Sequence, residues 1–123
     1  MKKIIVVGST GRLGRVVVSG LEDYEVIRAG RSGPDLKIDA LDFESVSDVF
    51  ASVGSFDGLV SCIGGTPFKT FEELTMEDFA TGLSKKCFSQ LNLAKAAIPF
   101  LTENGSITLT SGIIGDEPIL AGS

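Results

Sequence analysis

The segment from Ile4 to Leu21 restricts the fold of this chain more than any other. Four apolar residues, Ile4-Ile5-Val6-Val7, run into Gly8-Ser9-Thr10-Gly11-Arg12-Leu13-Gly14, and a helical pattern follows to Leu21. A short apolar run closed by glycine reads as a buried parallel strand. Three glycines at G-x-x-G-x-x-G spacing then fall on a strand-to-helix turn. Glycine tolerates positive φ and lets a ligand approach the backbone closely. The helix that opens there presents N–H groups without intrahelical acceptors, and the positive end of its dipole. Such a turn suits a pyrophosphate, so the segment predicts a nucleotide or dinucleotide site. A plain strand-turn-helix with no ligand is the competing reading. The spacing is not G-x-G-x-x-G, and no Gly-Lys-Ser/Thr follows as in a P-loop.

The remaining elements alternate. Strands are predicted over Lys3–Val7, Glu25–Ala29, Leu36–Asp39, Asp57–Ile63 and Ser106–Thr110. The first helix is expected over Leu13–Leu21, with Leu13, Val16, Val17 and Leu21 on one face. Asp42 is placed to cap a second helix over Phe43–Val53, with Val46, Val49, Phe50 and Val53 at helical spacing. Thr75 and Asp78 match a capping box for a long helix to about Leu101. Its expected apolar stripe is Phe79, Leu83, Cys87, Leu91, Ala94, Ile98 and Leu101, with Pro99 kinking or tightening the end. Asn104-Gly105 reads as the turn before the fifth strand. Alternation of this kind means α/β with a parallel sheet. Only a handful of residues join the second and third strands, whereas a parallel crossover takes a dozen or more. Either the third strand is a short edge segment or the crossover helix is reduced to a loop.

The 123 residues suit one domain, and 43% hydrophobic content supplies a core. A net charge of −5 argues against a general nucleic-acid surface. No apolar run reaches membrane length, and the run after Lys2-Lys3 stops at Gly8, too short for a signal peptide. A cytoplasmic protein is the reading. Cys62 and Cys87, without any histidine, make no zinc site and read as free thiols. Without histidine, the Ser-His-Asp and Cys-His routes to nucleophilic catalysis are closed within one chain.

With these residues in place, the chain resembles the short-chain dehydrogenases/reductases from Met1 to about Glu117. Gly8-Ser9-Thr10-Gly11-Arg12-Leu13-Gly14 is similar to the glycine motif of that family's extended and atypical branches. Asp39 matches the position of an Asp near the adenine ring. Ser61-Cys62-Ile63-Gly64 stands where the family has Asn-Asn-Ala-Gly, and Ser106 to Ser111 matches the strand that carries its catalytic Ser. The resemblance implies a Rossmann-like doubly wound parallel sheet, order 3-2-1-4-5, without the strands that would follow the fifth. It makes residues 1–123 an NADP-binding domain, C-terminally incomplete. The family's Tyr-x-x-x-Lys is missing. The one tyrosine, Tyr24, has no lysine four residues on, and the helix bearing that motif would begin beyond Ser123. The family's helix Asn falls at Lys86. Ser111 is an approximate stand-in for the catalytic Ser, whose aligned position is Gly112.

The sites follow from this placement. The second strand ends Ala29-Gly30-Arg31-Ser32, with no acid to hold a ribose 2′-hydroxyl. Arg31 offers a fork of donors to a 2′-phosphate, Ser32 adds a hydroxyl, and Arg12 adds a second cation. These point to NADP rather than NAD, against the plainer reading of Arg31 as a solvated loop residue. Asp39 either accepts from the adenine amino group or simply helps the turn before a helix. Ser61, Cys62, Ile63 and Gly64 end the fourth strand where cofactor ribose would pass. A carbonyl reduction needs a proton donor beside the substrate oxygen. Ser111 and Lys86 are the candidates, Lys86 alternatively being half of an exposed Lys85-Lys86 pair. The expected function is an NADP(H)-dependent oxidoreductase acting on a small-molecule carbonyl or alcohol. The alternatives are a non-catalytic NADP(H)-binding regulatory or sensor module and a remnant without ligand. The open edge of the fifth strand, with Ile107 and Leu109, favours a homo-oligomer.

Overall fold

The computed structural model describes residues 1–62, 75–77 and 88–110. Five parallel strands, β1 (Lys3–Val7), β2 (Glu25–Gly30), β3 (Leu36–Lys37), β4 (Phe56–Ser61) and β5 (Leu101–Thr108), form one sheet in the order β3-β2-β1-β4-β5. The parallel sheet is the one the alternation of elements predicts, and its order is the doubly wound one that the family resemblance implies. β1 lies in the middle, its Ile4 to Val7 in register with Gly58 to Ser61 on one side and Val26 to Ala29 on the other. Successive strand side chains point to opposite faces. Ile5 and Val7 join Ala29, Phe50, Phe56, Leu59, Leu93 and Ala97 in a core closed by α2 (Phe43–Val53) and α3 (Ser89–Ala97). Phe50 and Phe56 meet edge to face, with ring centroids 5.3 Å apart. Val6, also fully buried, points to the face that carries α1 (Arg12–Ser19).

The short β2–β3 connection has a simple geometric reason. β3 pairs only at the tip of β2, Ala29 with Leu36 and Gly30 with Lys37. The chain therefore retraces two residues, about 7 Å, rather than a whole strand, and needs no crossover helix. Both readings of this junction hold at once: β3 is an edge segment and its crossover is a loop. Gly33, at φ 105°, makes the turn. Asp35 holds it shut by accepting from the Arg28 backbone N–H at 2.8 Å and from its guanidinium at 3.2 Å.

α2 starts and stops where its sequence signals place it. The Asp42 side chain accepts from the Ser45 N–H at 3.3 Å, and Gly54, at φ 83°, ends the helix. Several boundaries and faces differ from the sequence reading. The first helix ends at Ser19, not Leu21, β2 reaches Gly30, β3 stops at Lys37, and β4 starts at Phe56 and stops at Ser61. On α1, Leu13 and Val16 are exposed and Gly14 is the buried residue, because the helix is set against the loop at its glycine. On α3 and the residue after it, Leu91 and Ile98 are exposed, while Gln90, Leu93, Ala96 and Ala97 are buried. Small residues let this helix lie close to its neighbours, so the inward face follows the alanines. Phe79, Leu83 and Cys87 of the expected stripe, and Asp78 of the capping box, lie outside the described residues. After Ala97 the helix tightens to a 3-10 turn over Ile98–Phe100 at Pro99, and Leu101 already opens β5. Asn104-Gly105 is a bulge inside that strand. Leu101 pairs with Phe56 and Ser106 with Gly58, so four residues of β5 stand against Asp57 alone.

Candidate functional site

β1 ends at the centre of the sheet, beside the point where strand order reverses between β1 and β4. In open α/β sheets, ligands bind outside the carboxyl ends of the strands at that reversal. The chain there folds back tightly. Gly8, at φ 81°, donates to the Ala29 carbonyl at 2.8 Å, and the Gly11 N–H donates to the Gly8 carbonyl at 3.2 Å. Gly11 then begins α1, whose first intrahelical bond is Arg15 N–H to the Gly11 carbonyl at 3.0 Å. The N–H groups of Arg12, Leu13 and Gly14 precede it and have no intrahelical acceptor. The third glycine is fixed by contact. A Cβ on Gly14 would lie 2.0 Å from the Gly8 carbonyl oxygen and 2.7 Å from the Ser9 Cα. Only glycine allows α1 to start this close to the loop.

Two buried hydroxyls flank the turn. Ser9 Oγ and Ser61 Oγ are shielded from solvent without a hydrogen-bond partner among the described residues. Buried polar groups are nearly always paired, so two hydroxyls at the ends of adjacent strands without a partner among the described residues are placed to meet a polar ligand. The glycine turn, the helix amides and the orphaned Ser9 hydroxyl together fit the phosphates of a nucleotide cofactor.

Beside the turn, on the α1 side of the sheet, lies a cavity of about 310 Å3 lined by Ser9, Thr10, Arg15, Ser19, Arg28 and Pro34, among others. The Arg28 guanidinium is already held by Asp35. Each of this pair shifts the other, Arg28 upward and Asp35 downward from their ordinary pKa values, chiefly through their hydrogen bond. Arg15 is the cavity's other cation, and the sequence reading passed over it. The signal was present: one residue after the last loop glycine is the first turn of the helix. Arg12 and Arg31 are exposed and do not line this cavity; Arg31 and Ser32 follow directly on β2.

The other candidates fall at the same end of the sheet, where they are described. Asp39 caps its own turn, its carboxylate accepting the Leu41 N–H at 3.1 Å, as the simpler reading of that residue required. Cys62 follows β4, and its N–H donates to the Val7 carbonyl at 2.8 Å. Burial pushes the Cys62 thiol pKa up, favouring the neutral thiol over the thiolate. Ile63, Gly64, Lys86 and Ser111 lie outside the described residues, as does Cys87. Among the described residues no cluster of His, Cys, Asp and Glu could hold a metal ion, and no helix is long and apolar enough to cross a membrane.

One further group was invisible in the sequence. Gln90, buried on α3, donates from Nε2 to the Thr110 carbonyl at 3.0 Å and accepts the Thr110 N–H at 2.8 Å. The Thr110 hydroxyl donates in turn to the Ser61 carbonyl. The ends of β4 and β5 and the start of α3 thus meet in one polar knot.

Comparisons with known proteins agree with this architecture. Residues 23–119 match the family model described as enoyl-(acyl carrier protein) reductase, a match that starts after the glycine turn. Among solved structures, the protein lin1944 from Listeria innocua is 38% identical over all of this chain, with a TM-score of 0.94. A small-chain dehydrogenase is 26% identical over 98% of this chain, with a TM-score of 0.85. A structure of a small-chain dehydrogenase in complex with NADPH is likewise 26% identical, with a TM-score of 0.84. This chain spans 62% of the first two of those chains and 55% of the third. No curated protein matches the sequence. Sheet order, glycine turn and family match converge, and the chain belongs to the short-chain dehydrogenase/reductase family.

Proposed function

We propose that residues 1–123 form the NADP(H)-binding domain of a reductase that acts on a small-molecule carbonyl or alcohol. The observation that carries this reading is the β1–α1 turn. Its glycines bring the α1 amides and the Ser9 hydroxyl, which has no partner among the described residues, to one spot, at the reversal of strand order. The diphosphate would lie across the amides of Gly8 to Gly14. Asp39 keeps one carboxylate oxygen for the adenine amino group, and Ser61 and Cys62, with Ile63 and Gly64 after them, would border the ribose on the nicotinamide side.

The preference for the phosphorylated cofactor rests on charge. β2 ends in Gly30-Arg31-Ser32 with no carboxylate to meet a 2′-hydroxyl. Arg31 and Ser32 beyond the strand would receive the 2′-phosphate, with Arg12 and the cavity residue Arg15 adding positive potential. The NADPH complex of a 26%-identical dehydrogenase supports the same choice. The cofactor supplies hydride chemistry when bound. The protein must hold a proton donor near the substrate oxygen, and Ser111 and Lys86 are the residues proposed for that part. The chain covers 62% or less of the solved structures described above.

Parallel titrations with NADPH and NADH test the reading. Arg31→Ala is expected to weaken NADPH binding about 10- to 100-fold, the worth of a charged hydrogen-bonding pair, and to leave NADH binding within about threefold. Equal loss for both cofactors, or none, would overturn the 2′-phosphate assignment. NADPH binding without oxidation by any of a panel of aldehydes and ketones would favour the regulatory module instead.

A further inference from the structure

The knot around Thr110 has a feature that packing alone does not require. The last ladder pair between β4 and β5 is Val60 with Thr108. Two residues later, the half-buried Thr110 backbone has left the sheet, and both its N–H and its carbonyl need partners. The side-chain amide of Gln90 takes both, at 2.8 and 3.0 Å, in the manner of a neighbouring strand. A carboxamide is the side chain that can donate and accept at once in this geometry. The Thr110 hydroxyl adds a bond to the carbonyl of Ser61, whose own hydroxyl has no partner among the described residues. The strand end is therefore held from two directions, one residue before Ser111.

We propose that Gln90 is a positioning residue: its amide fixes the end of β5 against β4, and so sets where the reacting end of the site stands relative to the bound cofactor. The proposal rests on the reductase reading above. A proton donor must come within about 3 Å of the atom it serves. A displacement of about 1 Å at such a group can cost on the order of 100-fold in rate. The cofactor's diphosphate and adenosine are held elsewhere, by the β1–α1 turn and the β2 end. Loss of the Gln90 amide should accordingly reach turnover and spare cofactor affinity.

Three variants of the full chain separate this role from simple support of the fold. Gln90→Met keeps the size of the side chain and removes both bonds. Gln90→Glu keeps an acceptor for the Thr110 N–H and faces the Thr110 carbonyl with an oxygen. Val46→Ala, in the core between α2 and the sheet, serves as a comparison that lowers stability without touching the knot. The readouts are amide hydrogen exchange at Thr110, the Kd for NADPH, and kcat and KM for NADPH-dependent reduction of aldehydes and ketones. Gln90→Met is expected to speed Thr110 exchange at least 10-fold and to lower kcat at least 10-fold, with the NADPH Kd within threefold of wild type. Gln90→Glu should fall between Gln90→Met and wild type. Val46→Ala should lower the melting temperature while kcat stays within twofold. Unchanged exchange at Thr110, or kcat and NADPH affinity falling together, would overturn the proposal. If Gln90→Met does not fold, Gln90→Glu decides by the same criteria. A wild-type protein that reduces no carbonyl removes the reductase reading itself, and the positioning role with it, a failure visible before any variant is made.

Discussion

Replacing Gly14 by alanine probes the turn on which the functional reading stands. The new Cβ would meet the Gly8 carbonyl oxygen at 2.0 Å, the Ser9 Cα at 2.7 Å and the Gly8 carbonyl carbon at 2.8 Å. Carbon and oxygen settle at about 3.3 Å or more, so α1 would have to retreat from the loop by roughly 1 Å. All three contacts are with backbone, and no side chain can rotate away. Overpacking of this kind costs about 1–3 kcal/mol, and the absence of a flexible partner places Gly14→Ala near the upper end. Alanine returns about 1 kcal/mol through its better helix propensity. The net loss is about 2 kcal/mol, equivalent to roughly 6–12 °C in melting temperature for a domain of this size. Thermal and urea unfolding followed by circular dichroism would read it. Gly11→Ala is the matched comparison. Its Cβ would stand 3.5 Å from the Gly8 oxygen, and its φ of −74° suits any residue. That variant loses only a favoured N-cap residue and should cost no more than about 1 kcal/mol. NADPH affinity should fall with Gly14→Ala, because the amides that face the diphosphate move with the helix. A Gly14→Ala protein as stable as wild type, or more stable, would refute the close approach.

Acid stability gives a second test. Asp57, at the opposite end of the sheet, accepts from the Lys3 N–H at 2.8 Å and the Thr102 hydroxyl at 2.8 Å, and the first of these most depresses its pKa. A carboxylate depressed in the folded state stabilises above its unfolded pKa of about 3.9 and loses that contribution as pH falls through the folded value. Asp57→Asn should therefore lose stability less steeply than wild type below about pH 4, and parallel curves would contradict the assignment. The thiol of Cys62 gives a third. Its raised pKa means that iodoacetamide at pH 8 should alkylate Cys62 more slowly than a free thiol, as read by peptide mass spectrometry, and NADPH should slow it further. Alkylation at the free-thiol rate, indifferent to NADPH, would place the residue away from the cofactor.

The sequence was most legible where a local signal has a single structural meaning. Ile4 to Gly14 reads as strand, turn and helix, and the Asp42 cap with the helical spacing of Val46 to Val53 gives α2 its bounds, Phe43–Val53. Helix faces were less legible. α1 carries Leu13, Val16, Val17 and Val18, enough apolar residues for two faces, and the choice falls to the close contact at Gly14, which lies outside any hydrophobic pattern. α3 likewise turns Ala96 and Ala97 inward and leaves Leu91 exposed, because fit to its neighbours outweighs side-chain hydrophobicity. The Asn104-Gly105 turn signal was correct in chemistry and misplaced in context, since β5 runs through it as a bulge. The burial of the Ser9 and Ser61 hydroxyls and the Gln90–Thr110 knot depend on residues far apart in the chain, and no local pattern encodes them.

The claim at the centre of this account is that a dinucleotide's phosphates rest on the loop between β1 and α1. Amide chemical shifts followed by 15N NMR during titration with NADPH test it most directly. The account predicts saturable shifts concentrated at Ser9 to Gly14, with smaller ones at Arg31, Ser32 and Cys62. Saturable binding that leaves Ser9 to Gly14 unmoved, or no binding by folded protein at millimolar NADPH, would contradict it.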